Sequence, residues 1–135
     1  MAKTLICEVV TPVKKIYSAE AAMVTAPAIN GEVGILPLHA PYVSILSSGE
    51  VRVSLPDEKV SKKFAISGGY LEVKNDEVII LADRAIDLDE IDRQAVQADL
   101  EKIEERLTET ESGSEMEKFL TEERDYLKTQ LYLSE

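Results

Sequence analysis

From Thr4 to Ala85 the apolar positions come in short alternating runs broken by turn chemistry, the period of half-buried strands. Leu5 to Val10 ends at Thr11-Pro12, Lys14 to Tyr17 follows, and Ala21 to Ala26 stops at Pro27. Tyr42 to Leu46 leads through Ser48-Gly49 into Val51 to Leu55, where Val51, Val53 and Leu55 mark one buried face. Pro56-Asp57 turns the chain, and Phe64 to Ile66 then meets Gly68-Gly69, read as a tight connection between strands. Tyr70 to Val73 and Val78 to Ala82 flank Asn75-Asp76, a hairpin signal. Many short strands with close turns predict an antiparallel sandwich or barrel and argue against βαβ units.

After Ile86 the period becomes helical. Val96, Leu100, Ile103 and Leu107 fall on one stripe of a helix. Asp89 is its expected cap, with Asp92 three residues on in an approximate capping box. Thr108 to Gly113 breaks the pattern. Ser114-Glu115-Met116-Glu117 is a second box, opening a helix with Met116, Phe119, Leu120, Leu127 and Leu131 on its apolar side. Two such helices with a short join make an antiparallel hairpin. The fold class is therefore α+β, an antiparallel β-sandwich over 1–86 followed by a two-helix hairpin over 87–135.

Charge sharpens that boundary. Residues 1–86 hold 9 basic and 10 acidic side chains; residues 87–135 hold 6 and 16. Nearly all of the net charge of -11 belongs to the last third. A chain this acidic, with no basic patch, offers nothing to nucleic acid or to an anionic membrane surface. No apolar run approaches the roughly 20 residues that cross a bilayer, and no leader is read at the amino end, so no membrane insertion and a cytoplasmic location are expected. Cys7, the only cysteine, falls in an apolar strand and reads as a small core residue.

The densest chemistry lies in Gly31-Glu32-Val33-Gly34-Ile35-Leu36-Pro37-Leu38-His39-Ala40-Pro41. Glycine frees the backbone and proline fixes it, so a short strand, Val33 to Leu36, should give way to a rigid bend. Glu32 and His39 are expected on one stiff loop. His39 is the only imidazole and has no sequence-linked nucleophile, so no catalytic residue is assigned. Asp87, Asp89 and Asp92 fail a calcium loop, because Asp92 and Ala98 stand where glycine and glutamate are required. No metal site is expected. Gly68-Gly69 lacks the wider spacing and the Lys-Ser/Thr of a phosphate loop.

The 31–41 stretch resembles the Gly-Glu-x-Gly-x-x-Pro-x-His-Ala-Pro signature of the ε subunit of F-type ATP synthases. Ile66-Ser67-Gly68-Gly69-Tyr70-Leu71-Glu72-Val73 and Val78 to Ala85 resemble a second block of that family. The resemblance covers residues 4–107 well and 108–135 in outline. It implies a non-catalytic central-stalk component, peripheral on the cytoplasmic face of a bacterial membrane, in a complex coupling proton or sodium flow to ATP synthesis. Its partners would be the γ subunit and the membrane ring, with the α/β catalytic head reached through a regulatory hairpin. Glu32 would face the ring and His39 the γ subunit, with Pro37, Leu38 and Pro41 on the same interface.

ATP-binding members of the family carry an Ile/Leu-Asp-x-x-Arg-Ala motif. Ile91 and Asp92 fit its start, but Ala95 stands where the arginine belongs. No cofactor is expected beyond weak ATP binding. The second helix carries Lys118, Arg124 and Lys128 against six acids, which implies a poor electrostatic inhibitor of the head. Two rival readings are an ATP-sensing module and a free-standing sandwich enzyme.

Overall fold

The computed structural model describes residues 3–56 and 61–135, so the second residue of the expected Pro56-Asp57 turn lies outside it. The strands are β1 (Leu5–Val10), β2 (Lys15–Ala21), β3 (Met23–Ala28), β4 (Gly31–Ile35), β5 (Tyr42–Ser54), β6 (Ser61–Lys74), β7 (Glu77–Ala82) and β8 (Ala85–Asp87). Two helices follow, α1 (Arg93–Glu109) and α2 (Glu115–Leu133). A first compact unit ends at Asp87 and a second begins at Leu88.

The strand order is β2-β1-β7-β6-β5-β3-β4, with β8 pairing β6 off this path. The long strands β5 and β6 belong to both layers. Tyr42 to Leu46 pairs with the end of β6, which carries β7, β1 and β2. Ser48 to Ser54 pairs with the start of β6, which carries β8, while β3 and β4 flank β5. Phe64, Ile66, Leu5, Ile35, Leu71 and Ile80 are fully buried between the layers.

Four expectations are corrected here. Ser48-Gly49 and Gly68-Gly69 join no separate strands; each is a bend inside a continuous one. Pro27 lies within β3, where its missing N–H falls at the break in register with β5 between Thr25 and Ala28. The β1–β7 pair is parallel, in an otherwise antiparallel set. Asp87 belongs to β8 of the first unit, not to the hairpin segment, and pairs with Lys62.

In the second unit Asp92, not Asp89, caps α1, accepting from the Ala95 N–H at 3.2 Å. Leu88–Glu90 forms a single 3-10 turn instead, so Asp89 precedes the cap. Ser114 caps α2 as expected, accepting from Glu117 N–H at 3.1 Å. Val96, Leu100 and Leu127 form the hairpin core, with Ile91, Ile103 and Leu131 against it. Met116 and Phe119, expected on the packed side, are exposed, since the stripe of α1 offers nothing apolar beyond Leu107. At the open end of the hairpin Arg93 donates to Leu131 O and to Ser134 Oγ, both at 2.7 Å.

Cys7 is fully buried between Ala19 of β2 and Val78 of β7. Burial pushes its thiol from 9.0 up to about 12, with the Glu8 carboxylate adding to the rise. A disulfide reagent at pH 8 should leave the native protein unmodified and react fully once urea unfolds it. The folded state keeps this proton between pH 9 and about 12, where the unfolded chain has lost it. Stability should therefore fall through that window by up to about 1.4 kcal/mol per pH unit relative to Cys7→Ala. Equal slopes for the two proteins would show that the thiol is solvated.

Candidate stalk-contact surface

The loop from Leu36 to Pro41 joins β4 to β5. His39 N–H donates to Leu36 O at 3.2 Å, closing a four-residue turn with Pro37 second and Leu38 third. Leu38 has φ of 68°, so the turn has type II character, with leucine where glycine is normally required. Asp76 Oδ1 accepts from the Leu38 N–H at 2.7 Å. The outward side chain of Leu38 is 67% exposed. His39 Nδ1 lies 2.7 Å from Ala40 O, which assigns the proton to that nitrogen, and its ring meets Tyr42 edge-on with centroids 5.8 Å apart. The imidazole is thus committed to the geometry of its own loop.

Glu32 does not share that loop, contrary to expectation. It is paired with Pro27 inside β4, beside the β3–β4 turn, and three strand residues separate it from Leu36. Ile29 and Asn30 turn the chain, and the ladder starts again at Gly31, which captures Glu32. Glu32 is exposed, as is Ile29 in the β3–β4 turn. Pro37 and His39 are half-buried and Pro41 is exposed at the entry to β5.

The structure adds a feature that the motifs did not indicate. Ile45, Tyr70 and Leu81 are in register across β5, β6 and β7, and Val10 of β1 continues the row. Val43 and Glu72 occupy the next row on the same face. Ile45, Tyr70, Leu81 and Val43 are all about half exposed or more, with Val43 at 70%. A contiguous apolar strip on an outer sheet face marks an interaction surface. The signal for it was the unbroken run Val78-Ile79-Ile80-Leu81, which makes both faces of β7 apolar.

In the second unit Ile91 packs on the hairpin core and the Asp92 carboxylate is the α1 cap. A groove of about 400 Å³ nearby is lined by Arg93, Gln94, Gln97, Ala98, Glu101 and Leu131. Its one cation is already bonded to the end of α2. Among the described residues no cluster of His, Cys, Asp and Glu fits a metal ion. No described helix is long and apolar enough to cross a membrane.

Residues 4–88 match the family described as ATP synthase, Delta/Epsilon chain, beta-sandwich domain. The ATP synthase epsilon chain of Desulforamulus reducens is 43% identical over 117 residues, 87% of this chain and 86% of that one. The epsilon chain of Brevibacillus brevis is 44% identical over 102 residues, 76% of each. Among solved structures, a chain of the Euglena gracilis mitochondrial ATP synthase (OSCP/F1/c-ring) superposes with a TM-score of 0.78 at 22% identity, covering 98% of this chain and 82% of that one. A chain of the Tetrahymena thermophila central stalk/c-ring assembly gives 0.61 at 18%, covering 98% of each. The two structures speak for the fold. The sandwich match and the identity along most of both bacterial relatives make this chain a member of the ATP synthase epsilon family.

Proposed function

We propose that this chain is a non-catalytic stalk component that ties γ to the membrane ring, so that torque passes between them. It would sit peripherally on the cytoplasmic face of the membrane. The observation that carries this reading is the exposed apolar row Ile45-Tyr70-Leu81, continued by Val43, which follows the Leu36–Pro41 loop by two residues. Apolar area of this kind gains free energy when a partner covers it, at about 25 cal/mol per Å². In this reading γ is that partner, and Glu32 beside the β3–β4 turn faces polar loops of the ring. The hairpin, with its surplus of acids, is a regulatory element reaching toward the catalytic head.

Tyr70→Glu places a charge in the middle of the row, and Ile45→Asp places one where the row meets Val43. Each should weaken binding to an ε-free γ-containing complex at least about 30-fold, since a central interface residue contributes 2 kcal/mol or more. Both sites are half exposed in the free chain, so its melting should stay within a few degrees. Unchanged binding would remove the row from the interface. Nucleotide affinity follows from the second unit. With Ala95 at the motif's arginine position and Arg93 engaged by α2, ATP should bind no tighter than about 1 mM, or about -4 kcal/mol. A micromolar calorimetric titration would establish a sensing role.

A further inference from the structure

The Leu38 turn should not hold its shape unaided. A leucine at φ of 68° costs about 1–2 kcal/mol over the right-handed conformation. Such strain persists only where surrounding contacts over-determine it. Within the loop, the turn is closed by one backbone hydrogen bond of 3.2 Å, His39 N–H to Leu36 O. The shorter contact comes from 38 residues away: the Asp76 carboxylate at 2.7 Å from the Leu38 N–H.

Asp76 is itself a rigid mount. Asn75 and Asp76 are the two central residues of the β6–β7 hairpin, with φ of 51° and 59°, the signature of a type I′ turn. The Asp76 carbonyl accepts from the Ile6 N–H at 2.9 Å, which ties the turn to the start of β1. Its side chain therefore projects from a base fixed on two sides. A charged acceptor on a backbone N–H is among the stronger hydrogen bonds. Supplied from the sheet, it holds the amide of the strained residue in the one orientation that aims Leu38 outward.

We infer that Asp76 is a positioning residue for the stalk-contact loop: it pre-organises Leu38, and with it Pro37 and His39, in the binding-competent conformation. This rests on the reading of the loop as a contact surface. Without the clamp the loop samples other turns, and the apparent dissociation constant rises as the inverse of the competent fraction.

The test uses five variants of the full chain. Asp76→Gly removes the carboxylate and keeps the turn, because Asn-Gly favours the same geometry. Asp76→Asn keeps an acceptor oxygen. Leu38→Ala removes the contacting side chain and keeps the clamp. Leu38→Gly, alone and combined with Asp76→Gly, relieves the strain itself.

In the isolated protein, hydrogen exchange at the Leu38 amide should accelerate at least about tenfold in Asp76→Gly and recover in Asp76→Asn, while amides of β6 and β7 keep wild-type protection. Binding to an ε-free γ-containing complex should weaken about tenfold in Asp76→Gly, recover in Asp76→Asn, and weaken in Leu38→Ala. In the Leu38→Gly background the exchange penalty of Asp76→Gly should shrink. Wild-type Leu38 exchange in Asp76→Gly would overturn the positioning role. So would wild-type binding by Asp76→Gly beside a weakened Leu38→Ala. Wild-type binding by Leu38→Ala would instead sink the contact reading of the loop, and the exchange data would still decide the clamp.

Discussion

Gly69→Ala is expected to leave little folded protein, and to unfold what remains at far lower urea. Gly69 has φ of 144°, and a Cβ built on it would lie 2.1 Å from Leu81 O and 2.8 Å from Ala82 Cα. Both atoms are backbone of β7, paired in the same ladder, so neither side can yield without opening the β6–β7 pairing. That pairing carries β7 and, through it, β1 and β2. Gly68, at φ of 109°, completes the bend that lets one strand serve two layers. The loss should exceed about 4 kcal/mol, a large share of the 5–15 kcal/mol that holds a small domain. Gly34→Ala is the contrast. The atom in its way is Met23 Cε at 2.7 Å, the end of a flexible side chain, and the cost should stay near or below about 1 kcal/mol. Urea unfolding of the soluble fractions distinguishes the two. A Gly69→Ala protein melting within a few degrees of wild type would show that β6 and β7 separate freely here.

The glycines also explain what was legible in the chain and what was not. Alternation identified the strand material on both sides of Gly49 and of Gly68-Gly69, because period two survives a bend. Punctuation by glycine, however, looks the same whether the chain reverses or only kinks. The two long strands were therefore read as four. β8 was missed for another reason: a three-residue strand shows no period, and Ala85-Ile86-Asp87 is recognised only through its partners Phe64 to Ile66. The α1 stripe and the Ser114 cap were local signals and came through, whereas the α2 stripe lost Met116 and Phe119 to the surface. Asp89 and Asp92 competed as caps, and the 3-10 turn at Leu88–Glu90 decided between them. At the candidate site, motif residues named the loop but not its surroundings. Ile45, Tyr70 and Leu81 lie on three strands, and only register brings them into line. The Asp76 carboxylate on Leu38 bridges 38 residues and has no sequence pattern at all.

Where the first unit ends can be tested by truncation, and three residues should matter more than the forty-eight after them. A fragment ending at Asp87 should fold as an all-β domain with a cooperative urea transition, because the first compact unit closes there. A fragment ending at Arg84 should be destabilised by about 3 kcal/mol or more. It loses β8, which pairs Ala85, Ile86 and Asp87 with Ile66, Ala65 and Phe64. Each backbone hydrogen bond lost there costs about 1 kcal/mol. Ala85 leaves the side of the main core, and Lys62 loses its Asp87 partner. The start of β6 would then be bare along the edge next to Phe64, whose ring packs on Tyr17 with centroids 5.2 Å apart. An unpaired edge over a large buried aromatic invites strand addition by a second molecule. The shorter fragment should therefore also aggregate at concentrations where the longer one stays monomeric. Circular dichroism, urea titration and light scattering on the two fragments check this. Equal midpoints would show that β8 belongs functionally to the segment that follows it, and would move the boundary of the sandwich back to Arg84.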